Sequence, residues 1–237
     1  IVTVDTDPTG YWTVENDEIT ESNAEFGGRV LHAHKLAARC TMSRELVEDA
    51  ANVESAVTNA MAEVIGVTLD SALITGSGAN CPQGIYYWDG VESVDKSGGT
   101  VDFDDVIDAH RAIMYNNAPE TGLSLIMNPR EASYLAKMKN GDGDYLQGQV
   151  PIFSDLRKFS TNQIPKTNGT GGDESFMLLG DFSQVVIGVR NELSIEVTKE
   201  GGDHFKKHQL GIKVWMRVDS VIIQANHLCK IDAIVTT

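Results

Sequence analysis

The sequence predicts an α+β fold, and three observations carry that expectation. From Val53 to Ile74, apolar residues recur at the spacing of one helical face. Two further segments, after Asp102 and after Asn128, open with residues that cap helices. Beyond Phe176 the side chains alternate between apolar and polar, which is the period of strands. Helices and strands do not follow one another in a regular βαβ order, and no segment repeats.

In chain order, Trp12 and Val14 alternate with Thr13 and Glu15, and a second extended stretch runs from Val30 to Cys40. Two strands are expected there, joined by a turn around Asn16-Asp17 and the Gly27-Gly28 pair. This hairpin carries Asp5, Asp7, Glu15, Asp17, Glu18, Glu21 and Glu25 and no Lys or Arg in its first 28 residues. With so little apolar surface, it reads either as a solvated flap or as an arm that packs on another molecule.

Ser43 can cap a short helix over Arg44 to Ala50. The long helix follows, with Val53, Ala56, Val57, Ala60, Met61, Val64, Ile65, Leu69, Ala72 and Leu73 on one face. About 21 residues at 1.5 Å each make it on the order of 30 Å long, the span of a small domain. It ends at Gly76 to Asn80, and Cys81 to Ile85 turns the chain into a new strand. Asp102 caps a third helix from Phe103 to about Asn117, with Asp104 and Asp105 at its positive end. A strand from Leu123 to Met127 precedes Asn128-Pro129, a cap followed by proline at the first helical position. That fourth helix is expected to reach Asn140, with Lys137 and Lys139 in its last turn. Strands follow over Leu193/Ile195/Val197, Leu210 to Val218, and Val221 to Ile231.

Composition bounds the function. The 237 residues could form one large domain or two small ones, with 41% hydrophobic and 22% charged residues, as in ordinary globular proteins. Acidic residues number 34 against 19 basic ones, a net charge of −15, which disfavours a broad nucleic-acid-binding surface. Cys40, Cys81 and Cys229 form no CxxC pair, so neither a disulfide framework nor a thiolate zinc site is indicated and a reducing compartment fits. No continuous apolar run reaches the 18 or so residues of a membrane span, and no basic-then-apolar leader opens the chain. A soluble, unexported protein without membrane contact is expected. The chain opens at Ile1 within an extended stretch, and natural sequence is expected to have preceded it.

Catalytic motifs are weak. The glycines of Gly76 to Asn80 close a helix rather than open one, the wrong polarity for cradling phosphate. Asn140 to Asp144 lacks the alternating ligands and terminal Glu of a calcium loop and reads as a helix-ending turn. His32 and His34 share a strand face but have no third ligand nearby, so surface histidines are expected. Asn168-Gly169-Thr170 matches a glycosylation sequon and is read as loop composition. No Gly-x-Ser-x-Gly occurs, and no pair of carboxylates is singled out. No catalytic, cofactor-binding or metal residue is therefore assigned, and an enzyme is the weaker class.

Several segments, in their order, resemble the major capsid proteins of tailed double-stranded DNA bacteriophages, with the Hong Kong 97-like fold. Gly10 to Ser22, with Phe26 and Leu36-Ala37, looks like the family's E-loop hairpin and its return strand. Met42 to Asp49 looks like the entry to the spine helix, and Ile74 to Ile85 is similar to its glycine-rich exit. Met127 to Arg130, with Leu135 to Leu146, looks like the strand, helix and loop of the axial domain. Leu179 to Ser183, Val189-Arg190, Asp203 to Phe205 and the strands ending at Ile234 resemble the closing region.

The resemblance implies an E-loop hairpin and return strand over 1–40, and a peripheral (P) domain over 41–100 with the spine helix at about 53–74. It implies a mainly axial (A) domain over 101–190 and closing P-domain strands over 191–237. It further implies a structural virion protein that assembles with itself, as hexamers and pentamers, into an icosahedral head around phage or prophage DNA, without sequence-specific DNA binding and without a cofactor. The implied partners besides itself are a portal, a scaffold and a head protease. The implied location is the virion capsid, assembled in the bacterial host cytoplasm.

The acidic hairpin would lie on a neighbouring subunit, with Glu15, Asp17 and Glu18 facing Lys206 and Lys207 in a basic stretch that includes Lys199, Lys213 and Arg217. Some members weld subunits by a Lys–Asn isopeptide bond. Here His208 stands where that Asn would be and Trp215 where a catalytic Glu would help, so no cross-link is expected. An encapsulin-type shell enclosing cargo enzymes is the alternative reading, and a hydrolase with an unrecognised carboxylate site a third.

Overall fold

A computed structural model describes residues 2–6, 9–18, 21–23, 25–49, 52–169, 171–199 and 203–236. Ile1, Asp7, Ala50 and Thr170, named above, lie outside the described residues, as do the side chains of Asp5, Glu25, Phe26, Asp203 and Phe205. The chain divides into two units, residues 1–32 and 33–237.

In the first unit, β1 (Val2–Thr6) pairs antiparallel with β2 (Glu25–Gly28), Val2 opposite Gly28 and Val4 opposite Phe26. A hairpin forms here, but not between the expected strands, since the stretch expected over Val30 to Cys40 is a strand from His34 to Ser43 that pairs in the second unit. Gly27 and Gly28 are inside a strand rather than in the turn, and residues 10–14 form no strand. The alternation around Trp12 has no partner strand to exchange hydrogen bonds with, so the segment stays a loop. Its tip turns at Glu15-Asn16, where the Asp17 amide donates to the Val14 carbonyl at 3.2 Å and Asn16 adopts a φ of +64°.

The second unit runs β3 (His34–Ser43), α1 (Arg44–Asp49), α2 (Val53–Thr75), β4 (Glu92–Asp95), α3 (Phe103–Tyr115), β5 (Ser124–Met127) and α4 (Pro129–Lys137). It continues with α5 (Pro151–Asp155), β6 (Arg157–Ser160), β7 (Ser175–Gly180), β8 (Val185–Thr198), α6 (Asp203–Lys206), β9 (Gln209–Ile222) and β10 (Leu228–Ile234). A three-stranded antiparallel sheet has the order β3-β9-β8, with Lys35 opposite Arg217 and Arg39 opposite Lys213. On one face Met42, Leu210, Ile212 and Val214 bury against Met61 and Ile65 of α2. The helix covers β3 and β9 but stops short of β8, whose Ile187, Val189, Leu193, Ile195 and Val197 remain exposed. Although it contains no continuous apolar run, α2 is long and apolar enough to cross a membrane by length and composition alone, because Thr, Asn and Ser are diluted among Ala, Val and Ile. The chain leaves α2 through a tight crossing at Gly84, whose amide donates to the Gly76 carbonyl at 2.9 Å. Ile85–Tyr87 is then a 3-10 turn, so the next strand starts at Glu92 instead of Ile85.

A five-stranded mixed sheet has the order β4-β10-β7-β5-β6. One face packs α3 through Val106, Ala109 and Ile113 against Leu125, Met127, Met177, Leu179 and Ile231. Asp102 caps α3 as expected: its side chain accepts from the Phe103 amide, and Asp105 accepts from the Asp102 amide, each at 2.7 Å. Asn128 caps α4, its Oδ1 accepting from the Arg130 amide at 3.0 Å. That helix ends at Lys137 rather than Asn140, because Met138 turns extended and Asn140 Oδ1 gathers the amides of Asp142 and Asp144 into a loop. The final strand expected over Val221 to Ile231 is two strands: β9 closes at Ile222 and a turn at Ala225–His227 hands the chain to the other sheet. The chain passes from the smaller sheet to the larger through α1 and α2, and it crosses directly between them twice more, through 181–184 and 223–227. The crossings bond to each other, Asp181 amide to His227 carbonyl at 3.1 Å and Ile223 amide to Gln184 carbonyl at 2.9 Å.

Candidate functional site

The sequence singled out an acidic segment and a basic one. In the first unit, Glu15, Asp17 and Glu18 are exposed on the loop tip beside Trp12, which is fully exposed, and Tyr11 and Val14, which are mostly so. A tip that presents aromatic and aliphatic surface within a ring of carboxylates is unusual for solvent-facing loop, which favours small polar residues.

The basic residues separate into two places. Lys199, Lys206 and Lys207 are at the connection between β8 and β9, all exposed. Lys213 and Arg217 are instead on the sheet face turned away from α2, where β3 adds Lys35 and Arg39 and β8 adds Glu196. Strand alternation puts them there: Ile212, Val214 and Met216 point to the helix, so Lys213, Trp215 and Arg217 point outward. Lys213 Nζ binds Glu196 Oε2 at 2.6 Å, and Trp215 Nε1 donates to Glu196 Oε1 at 2.8 Å. The hydrogen bonds from Lys213 and then Trp215 hold the Glu196 carboxyl below the usual carboxylate range. Lys35 Nζ stands 5.8 Å over the Trp215 ring, and Arg217 donates to the Ala33 carbonyl at 3.3 Å. Together with Asn191 these groups line a shallow cleft of about 570 Å³. Arg39 lies at the same face and hydrogen-bonds the buried His204.

The cleft is cationic in a strongly acidic chain, with three basic side chains to one carboxylate in its lining. Lys35, Arg39 and Glu196 were missed in the sequence because only strand register brings them beside Lys213; the alternation of Lys213, Trp215 and Arg217 was the readable signal. His32 is exposed and His34 half-buried, and no group of three metal-ligating side chains gathers among the described residues. Cys40, Cys81 and Cys229 are free thiols. Burial pushes the Cys229 thiol up to about 12, which removes it as a nucleophile near neutral pH.

Comparison with known proteins adds a second line. The profile of the phage capsid family matches residues 1–233. The chain is 24% identical over 203 residues to the major capsid protein of Halomonas phage phiHAP-1, covering 81% of this chain and 32% of that protein. It is 21% identical over 201 residues to the major capsid protein of Enterobacteria phage HK97, covering 81% of this chain and 49% of that one. It thus spans about a third and about half the length of these curated relatives. Among solved structures, the capsid of a native GTA particle superposes with a TM-score of 0.78 at 19% identity, over 99% of this chain and 84% of that one.

Proposed function

The chain belongs to the phage capsid family and has its Hong Kong 97-like fold, and from that premise we propose that it is the major head subunit of a tailed phage or prophage. Its role in this reading is structural. Copies assemble with one another, as hexamers and pentamers, into an icosahedral shell that encloses double-stranded DNA in the virion. Assembly takes place in the host cytoplasm, with portal, scaffold and head protease as further partners. Residues 41–100 and 191–237 form the peripheral part and 101–190 mainly the axial part.

The observation that carries the reading is that one chain bears two surfaces of opposite chemistry. The loop tip offers Trp12 with Glu15, Asp17 and Glu18, and the sheet face offers Lys35, Lys213, Trp215 and Arg217. Identical copies can satisfy both patches by repeating one contact, and electrostatic register of this kind selects orientation more than it adds affinity. In the contact we propose, Glu15, Asp17 and Glu18 of one copy face the basic residues of the next, with Lys206 and Lys207 at its margin.

Electron microscopy and mass measurement of the expressed chain test the shell: closed particles are expected, and a chain that stays monomeric under all conditions refutes it. Lys206→Glu with Lys207→Glu should impair assembly more at low salt than at high salt, since exposed pairs are screened. Equal assembly at every ionic strength removes those two lysines from the contact. Subunits in this reading are held without covalent welding, so denatured particles should run as a single 25.7 kDa band; a ladder of oligomers overturns that point.

A further inference from the structure

We propose that a cleft along one face of α4 is a phosphate-binding site. The cleft, about 490 Å³, is lined by Arg130, Ser133, Tyr134, Lys137, Met138 and Thr236. The first four stand at positions i, i+3, i+4 and i+7 of the helix and so share one face. Two cations and three hydroxyls line it and no carboxylate does, in a chain whose acids outnumber its bases by 15.

Two features distinguish this cleft from a chance cluster of surface charges. Arg130 is fixed before any ligand arrives: Nε binds Glu131 Oε1 at 2.9 Å, and Nη1 and Nη2 donate to the Asp173 carbonyl at 3.2 and 3.1 Å. Each Nη keeps a second N–H, on opposite edges of the guanidinium, so Arg130 retains a donor for a phosphate oxygen. The other feature is Thr236, just past the end of β10. The residue lines the cleft at 5% exposure, and its buried Oγ1 has no hydrogen-bond partner. A buried hydroxyl without a partner is uncommon and marks a place where an acceptor is wanted.

The chemistry favours phosphate over a carboxylate. Donors come from Arg130, Lys137, Ser133, Tyr134 and Thr236, more than two carboxylate oxygens can take up, whereas phosphate offers three or four. Glu131 is fully buried and neutralises Arg130 from behind, so Lys137 supplies the charge that offsets the ligand. The same chemistry serves free inorganic phosphate and the backbone phosphate of DNA. The inference stands independently of the shell reading, since it rests on α4 and Thr236 alone.

The test is a titration of the full chain with inorganic phosphate at constant ionic strength, followed by amide NMR shifts. Shifts confined to residues of α4 and to Thr236 are expected. Lys137→Gln should weaken binding about tenfold, the loss of one charge-assisted hydrogen bond. Thr236→Val should weaken it severalfold with an unchanged circular dichroism spectrum. Lys166→Gln, at an exposed position elsewhere, should leave it unchanged. In a second arm a short DNA duplex replaces phosphate. Binding that phosphate competes away, and that Lys137→Gln weakens, assigns the site to DNA-borne phosphate; phosphate binding without DNA binding assigns it to the free anion. No shift at α4, or equal binding by the wild type, Lys137→Gln and Thr236→Val, overturns the proposal.

Discussion

Replacing Gly84 by alanine probes whether the tight exit from α2 is needed for stability. A Cβ on Gly84 would lie 2.5 Å from the Gly76 amide nitrogen and 2.6 Å from both the carbonyl carbon and oxygen of Ile74. All three are backbone atoms at the end of α2, so relief requires the crossing to open, not a side chain to swing aside. Overpacking of this kind costs about 1–3 kcal/mol. For a chain of this size each kcal/mol lowers Tm by roughly 2–4 °C, which gives a fall of about 2–12 °C. Gly66→Ala is the internal control. It is an exposed position in the middle of α2 with no atom within 4 Å of a new Cβ. Removing glycine from a helix interior there should add about 0.5–1 kcal/mol and raise Tm by about 1–4 °C. Thermal unfolding of both variants by circular dichroism is the assay. Gly84→Ala melting at or above the wild type, or Gly66→Ala melting below it, would refute the assigned course of the chain around α2.

Three further outcomes follow from named contacts. Asp105→Ala removes both the reciprocal cap of α3 and the 2.8 Å pair with Lys96, and should cost about 1–2 kcal/mol in urea unfolding at pH 8. The hydrogen bond from Lys96 to Asp105 raises the lysine's pKa against an opposing effect of burial; its stabilisation is therefore complete below the lysine's unfolded value and lost as pH rises through the folded one, so the deficit of Asp105→Ala should narrow in strong alkali. Burial works to raise the Asp181 pKa, but hydrogen bonds from Ser183 and Gln184 outweigh it and leave the carboxyl below its ordinary range. Asp181→Ala should thus cost about 1–3 kcal/mol at pH 7, with the difference from wild type shrinking as pH falls through that lowered value; a deficit independent of pH would count against the charged form. With a thiol reagent at pH 8, Cys40 and Cys81 should react in the folded chain and Cys229 only after unfolding, and prompt labelling of all three would contradict its burial.

What the sequence revealed was local chemistry. Asp102 with Asp105, Asn128 with Pro129, and the apolar stripe from Val53 each specify a helix within one or two turns, and each helix is present. What it concealed was pairing. Trp12 and Val14 alternate as well as any strand does, yet Val2–Thr6 found Glu25–Gly28 and left them in a loop. The edge strand β6, Arg157–Ser160, carries no apolar alternation and exists because β5 lies beside it. The candidate contact surface divides in the same way. Lys213 and Arg217 were visible two positions on either side of Trp215, whereas Lys35 and Glu196 join them only through antiparallel register across β9.

The double crossing between the two sheets has a mechanical consequence. A single connector would let the three-stranded and five-stranded sheets swivel about one bond. Two connectors, bonded to each other and seated over Phe176, Leu178, Ile222 and Leu228, act as a clamped joint that resists torsion. Tension applied at the outer end of β8 or β9 passes along the backbone directly into β7 and β10, two adjacent inner strands of the other sheet. The load is carried by covalent chain and a buried apolar block, with no reliance on surface ion pairs that salt would weaken.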